Sequence, residues 1–138
     1  MEARIRLDGG MQFRGAADSG REVVMDASEQ FGGKNAGPRP MEMVLLGLAG
    51  CTGMDVISIL RKKREPVEGY EVRVSARLAE EHPKVFTEIH MEHVVTGNVK
   101  EESLARAIEL SETKYCSAHA MLRHEAKMTT SYRVEPVR

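Results

Sequence analysis

Apolar and polar residues alternate near both ends of the chain, and a continuous apolar run fills its middle. Ala3, Ile5 and Leu7 alternate with Glu2, Arg4 and Arg6; Met11, Phe13 and Gly15 alternate with Gln12, Arg14 and Ala16. "DGG" at Asp8 to Gly10 and "DSG" at Asp18 to Gly20 read as turns, the second leading into "REVVMDA". A period of two between turn signals predicts a three-stranded antiparallel meander. The Gly/Pro-rich stretch Ser28 to Pro40 follows as a loop. Pro40 suits the first turn of a helix, where its missing N–H is no loss. That helix is predicted to run to about Arg64.

From Met43 to Cys51 the helix is apolar all round, which predicts burial all round. A chain this small has difficulty surrounding it, so a second subunit is expected to complete the cover. Gly47, Gly50 and Gly53 interrupt the same helix, each at about 1 kcal/mol against alanine. They imply close approach of another backbone, access of a substrate to the Cys51 sulfur, or both.

Alternation returns in "GYEVRVSARLAE", with Tyr70, Val72, Val74, Ala76 and Leu78 on one face. The return strand is expected to turn Val85, Thr87, Ile89, Met91 and Val95 inward. Asn98 and Glu101 resemble a capping box for a second helix with an inner stripe of Leu104, Ala107, Ile108 and Ser111. Ser117 is the expected N-cap of a short third helix, leaving Cys116 just ahead of its N-terminus. A last strand carries Met128, Thr130, Tyr132 and Val134 on one face. The order βββ–α–ββ–αα–β makes one α+β domain over residues 1–138.

Composition narrows the function. A net charge of −1 argues against nucleic acid as the main partner. "RKKR" at Arg61 to Arg64 reads as cations at the negative end of a helix. The N-terminus has no continuous apolar segment of the signal-peptide kind. The Met43–Cys51 run by itself is too short to span a bilayer. A cytoplasmic protein without a membrane role is expected, and there a permanent structural disulfide is disfavoured.

The candidate chemistry is sparse. Phosphate-cradling and G-x-S-x-G motifs are lacking, so no cofactor is implied. Cys116 and His119 form a single C-x-x-H pair with no second pair at ligand spacing, so no metal is expected. His93 reads as a satisfied core histidine and His119 as a helix-surface residue. The two thiols, Cys51 and Cys116, are then either small buried hydrophobes or a redox pair. A reactive Cys51 would need a nearby cation, since it lies past the first helical turn where the dipole acts. Arg14 is one candidate.

"GPRPMEMVLLGLAGCTGMDVISILRKKR" followed by "ETKYCSAHAML" resembles the OsmC/Ohr family, the osmotically inducible and organic hydroperoxide resistance proteins, in its YhfA-like branch. The likeness runs nearly the whole chain. It implies an OsmC-like α+β fold and an intertwined homodimer with active sites at the interface. It also implies cysteine-dependent reduction of small-molecule organic or inorganic hydroperoxides, with a dithiol reductant as second partner. Carried over, Cys51 is the peroxidatic thiol and Cys116 the resolving thiol. The family also uses an arginine from the N-terminal strands that stabilises the thiolate and a glutamate that holds the arginine; Arg14, three residues after the family's place near Met11, and Glu42 are the candidates here. Glu42 stands nine residues before Cys51, whereas the family's glutamate stands ten before, a place held here by Met41. The alternative is a non-catalytic protein of this fold that binds a small apolar ligand or a partner in the interface cleft. Nine methionines would suit such a pocket.

Overall fold

The computed structural model describes residues 1–137. The chain divides into two compact units, Met1–Leu46 and Gly47 onward. Both carry the elements that the alternation predicts, so the α+β class and the element order stand.

In the first unit, β1 (Ala3–Leu7), β2 (Phe13–Ala17) and β3 (Val23–Met25) form the antiparallel meander in the order β1-β2-β3. Ile5 faces Gly15 across the first ladder. A Cβ on Gly15 would lie 2.2 Å from the Arg4 carbonyl oxygen, so only glycine allows the strands to close there. The buried carboxylate of Asp26 organises the loop that follows, accepting from the backbone N–H groups of Ala27, Lys34 and Ala36. Those N–H groups, Ala36 and Lys34 foremost, hold its carboxyl below the usual carboxylate range.

Helix α1 spans Pro40–Lys62 and starts at the proline, as its sequence predicts. Only the stripe Leu48, Thr52, Val56 and Leu60 is buried. The all-round burial expected over Met43 to Cys51 is therefore not met within one chain. Val44, Leu46 and Met54 stay exposed, Leu46 at 59%. Nor does any backbone press on the glycines: an added Cβ at Gly47 or Gly50 meets nothing within 4 Å among the described residues, and at Gly53 only ordinary side-chain contacts. The apolar stretch also extends well beyond Met43 to Cys51. The whole helix, at 23 residues and a mean hydropathy of 1.9, is long and apolar enough to cross a membrane. In this fold it is a core helix. Val56 and Leu60 pack with Val95, Val99, Leu104, Ala107 and Ile108.

The second unit adds β4 (Val67–Leu78), β5 (Phe86–Gly97), α2 (Glu101–Leu110), a π turn (Ser111–Tyr115), α3 (Ser117–Leu122) and β6 (Lys127–Glu135). The sheet order is β4-β5-β6, with β4 and β5 antiparallel and β6 parallel to β5. A parallel partner requires a crossover, which the two helices and the π turn supply. Thr87 is exposed rather than inward. Arg77 pairs with Glu88 but Leu78 pairs with Phe86, and this register shift turns Phe86 to the core in its place.

Capping also departs from the sequence pattern. Asn98 caps nothing; α2 begins after Lys100. Glu65, just past α1, reaches over instead and accepts from the Lys100 N–H and the Ser103 hydroxyl. A distant carboxylate thus meets the positive end of α2.

Arg64 closes α1 with a φ of 58°. Glu65 N–H donates to the Leu60 carbonyl and Arg64 N–H to that of Arg61. This left-handed position strains any residue with a Cβ. Arg64→Gly is expected to raise stability by about 1 kcal/mol, seen as a higher urea midpoint at unchanged m-value.

Candidate functional site

α1 and the segment after α2 meet around a single sulfur. Cys116 is 3% exposed and is itself the N-cap of α3, the place expected for Ser117: its Sγ accepts from the His119 backbone N–H at 3.4 Å. From the other side the Thr52 hydroxyl donates to the same Sγ at 3.3 Å. Thr52 neighbours Cys51, so the two cysteines come together. The Cys51 and Cys116 sulfurs and one Asp55 carboxylate oxygen lie within 4.8 Å of one another. Both thiols are free; Cys51 is half-buried.

The π turn makes this meeting possible. Its closing bond runs from the Cys116 N–H to the Ser111 carbonyl at 2.8 Å, five residues back. Ser111 is fully buried, and its hydroxyl donates to Asp55 Oδ2 at 2.9 Å. One serine thus holds the Cys116 backbone and the Asp55 carboxylate together. Asp55 had no place among the sequence candidates. The available signal was its spacing: four residues after Cys51 on one helix, hence on the same face.

Burial pushes the Cys116 thiol above the ordinary range for cysteine, and the neighbouring Cys51 sulfur adds to this. The Thr52 hydroxyl and the His119 N–H, which would stabilise a thiolate, work in the opposite direction.

Arg14 and Glu42 belong to the first unit and are paired there. Arg14 Nε lies 3.1 Å from Asp8 Oδ2 and 4.0 Å from Glu22 Oε2. Glu42 accepts from the Arg39 backbone N–H at 2.8 Å, at the start of its own helix. Of the four sequence candidates, Cys51 and Cys116 share the site in the second unit.

His119 corrects its surface assignment: it is 6% exposed, and its Nδ1 lacks a partner. Its backbone, not its ring, reaches Cys116, so the C-x-x-H spacing serves helix capping. A soft divalent ion would find a different donor set, Cys51, Cys116 and Asp55, which offers three ligands of the right chemistry.

His93 is the core histidine that the pattern predicts. It is fully buried on β5, and its Nδ1 shares a 2.7 Å hydrogen bond with the Tyr70 hydroxyl. Its Nε2 has no partner.

The family described as OsmC-like protein matches residues 32–131. Protein YhfA of Escherichia coli strain K12 is 42% identical over 135 residues, covering 97% of this chain and 98% of that protein. A hypothetical protein from Aquifex aeolicus VF5 superposes with a TM-score of 0.87 at 31% identity, over 99% of this chain and 97% of the other. An organic hydroperoxide resistance protein OsmC from Legionella pneumophila shares the fold, with a TM-score of 0.70 at 14% identity over 95% and 94% of the two chains.

Burial pushes the His93 imidazole down from 6.5 to about 4. Between those values the unfolded chain holds a proton that the native chain does not. Stability is therefore expected to fall as pH drops through that window, by up to about 3 kcal/mol from this residue. Urea unfolding across the window, compared between the wild type and His93→Gln, isolates this term from the carboxylates. Parallel curves for the two proteins would exclude it.

Proposed function

The chain belongs to the OsmC-like family, and from that premise we propose that it is a thiol-dependent reductase of organic or inorganic hydroperoxides, serving defence against oxidative stress. The observation that carries this reading is the gathering of the Cys51 and Cys116 sulfurs within 4.8 Å. Solved structures with this fold are named organic hydroperoxide resistance proteins.

Exposure orders the two thiols. Cys51 is half-buried and open to a small substrate; Cys116 is closed to solvent. A Cys51 thiolate attacks the hydroperoxide, the O–O bond breaks, and a sulfenic acid and an alcohol or water result. Cys116 then displaces the hydroxyl oxygen, giving the disulfide and water. A dithiol reductant restores both thiols. Arg14 and Glu42 enter as the arginine–glutamate support that the resemblance implies for the Cys51 thiolate, with Arg14 already partnered by Asp8 and Glu22. Such a cycle suits a reducing compartment such as the cytoplasm.

A homodimer is part of the reading. Ile5, Leu7 and Val23 on the N-terminal sheet and Leu46 and Met54 on α1 are large, apolar and exposed. On α1, Gly47 and Gly50 leave bare backbone for a second copy to approach.

One equivalent of hydroperoxide is expected to consume both thiols and leave one Cys51–Cys116 disulfide, detected by mass spectrometry as the loss of two hydrogens per chain. Cys116→Ser is expected to stop at a Cys51 sulfenic acid, and Cys51→Ser to abolish turnover. Thiols that survive the peroxide unchanged would leave the ligand-binding alternative. Sedimentation at micromolar concentration is expected to give about twice the chain mass of 15.4 kDa, and Leu46→Glu to give a monomer. A stable wild-type monomer would remove the dimer from this reading.

A further inference from the structure

Cys116 can close a disulfide only by giving up its proton, and its burial leaves no solvent beside it to take one. Its hydrogen-bonding neighbours do not help: the Thr52 hydroxyl and the His119 N–H both donate to the sulfur. Among the described residues a nearby group able to accept is the Asp55 carboxylate, within 4.8 Å of both sulfurs, a separation that one bridging water spans. Its Oδ2 is fixed by the Ser111 hydroxyl. Asp55 also lines a cavity of about 480 Å³ with Ser58, Ile59, Lys62 and Tyr115, which gives the carboxylate an outlet apart from the thiols.

We propose that Asp55 is the proton-transfer residue of the dithiol site, accepting the Cys116 proton as that sulfur attacks Cys51 and delivering it to the departing oxygen. The inference rests on the dithiol cycle proposed above and adds its acid–base partner. In the closing step the Cys116 sulfur forms the S–S bond and the Cys51 S–O bond breaks with its electron pair on oxygen. The proton passes from Cys116 to Asp55 and on to the hydroxide, which leaves as water. No further oxidant is consumed. A carboxylate is a weak base toward a thiol, so the transfer accompanies S–S bond formation rather than preceding it.

The opposite electrostatic role predicts the opposite sign. If Asp55 acted only as a fixed negative charge beside the sulfurs, it would disfavour the thiolate. Its removal would then speed closure.

The test needs no peroxide. The reduced full-length protein is treated with 5,5′-dithiobis(2-nitrobenzoate), which labels the accessible Cys51 and releases one thionitrobenzoate. Attack by Cys116 releases the second, and the rate of that phase is the rate of closure. Thionitrobenzoate leaves as an anion, so only the acceptor role is read. At neutral pH, Asp55→Asn is expected to slow closure by about 10²-fold. The gap should shrink as pH rises and hydroxide takes over, with Asp55→Glu restoring part of the rate. Ser111→Ala, which keeps the carboxylate but frees it, is expected to show a smaller loss with the same convergence. It decides the matter if Asp55→Asn does not fold.

Closure at the wild-type rate or faster in Asp55→Asn would overturn the proposal. So would a loss that is constant across pH, which would mark a purely structural role, or unchanged closure in Ser111→Ala should it stand alone. If a strong chelator added to the wild type reproduces the Asn effect, the carboxylate serves a bound cation and the proposal also fails. Failure of peroxide turnover would leave this measurement untouched, so the two readings fall separately.

Discussion

The site depends on one constraint, the tie between α1 and the π turn. Ser111 holds Asp55 through its hydroxyl and the Cys116 backbone through its carbonyl. Thr52 holds the Cys116 sulfur. A regular α-helix running through residues 111–116 would advance by about 100° per residue and rotate residue 116 elsewhere. The wider π turn holds a sulfur from a distant stretch of chain against the face of α1 that carries Cys51 and Asp55. Buried polar atoms that satisfy one another in this way fix a geometry more strictly than apolar packing does.

The same tie gives the two thiols different surroundings. They are chemically identical, and their environments differ. Cys51 lies on a helix flanked by glycines and is half open; Cys116 is buried at the N-terminus of α3. Burial pushes the Cys116 thiol above the ordinary cysteine range, and in the proposed cycle the more open Cys51 sulfur is the one that meets substrate first. The Asp55 carboxylate beside both sulfurs disfavours a thiolate at either, which makes the source of any compensating positive charge central to the proposed chemistry.

α1 shows how composition can mislead. By length and apolarity it could cross a bilayer, and in this fold its own chain wraps it only in part. One stripe, Leu48 to Leu60, is spent on the core; the glycine-bearing remainder is left for something else. The proposed second copy of the chain would cover both the bare backbone and the exposed leucine and methionine.

Local periodicity determined the strands, the long helix from Pro40, the inner stripe of α2 and the buried His93, because each follows from neighbours along the chain. The resemblance in the sequence also singled out Cys51 and Cys116, although spacing alone left them as inert hydrophobes or a redox pair. What the sequence did not disclose arises between distant residues. Glu65 takes the place of Asn98 as the cap of α2; a register shift exchanges Thr87 for Phe86; His119 is buried on a helix capped by a sulfur. Asp55 had no place in the sequence reading, and only the fold brings Ser111 to it. Periodicity reports the face on which a residue lies. Only tertiary structure decides what that face meets, because hydrogen bonds across 56 and 64 residues of sequence leave no local trace.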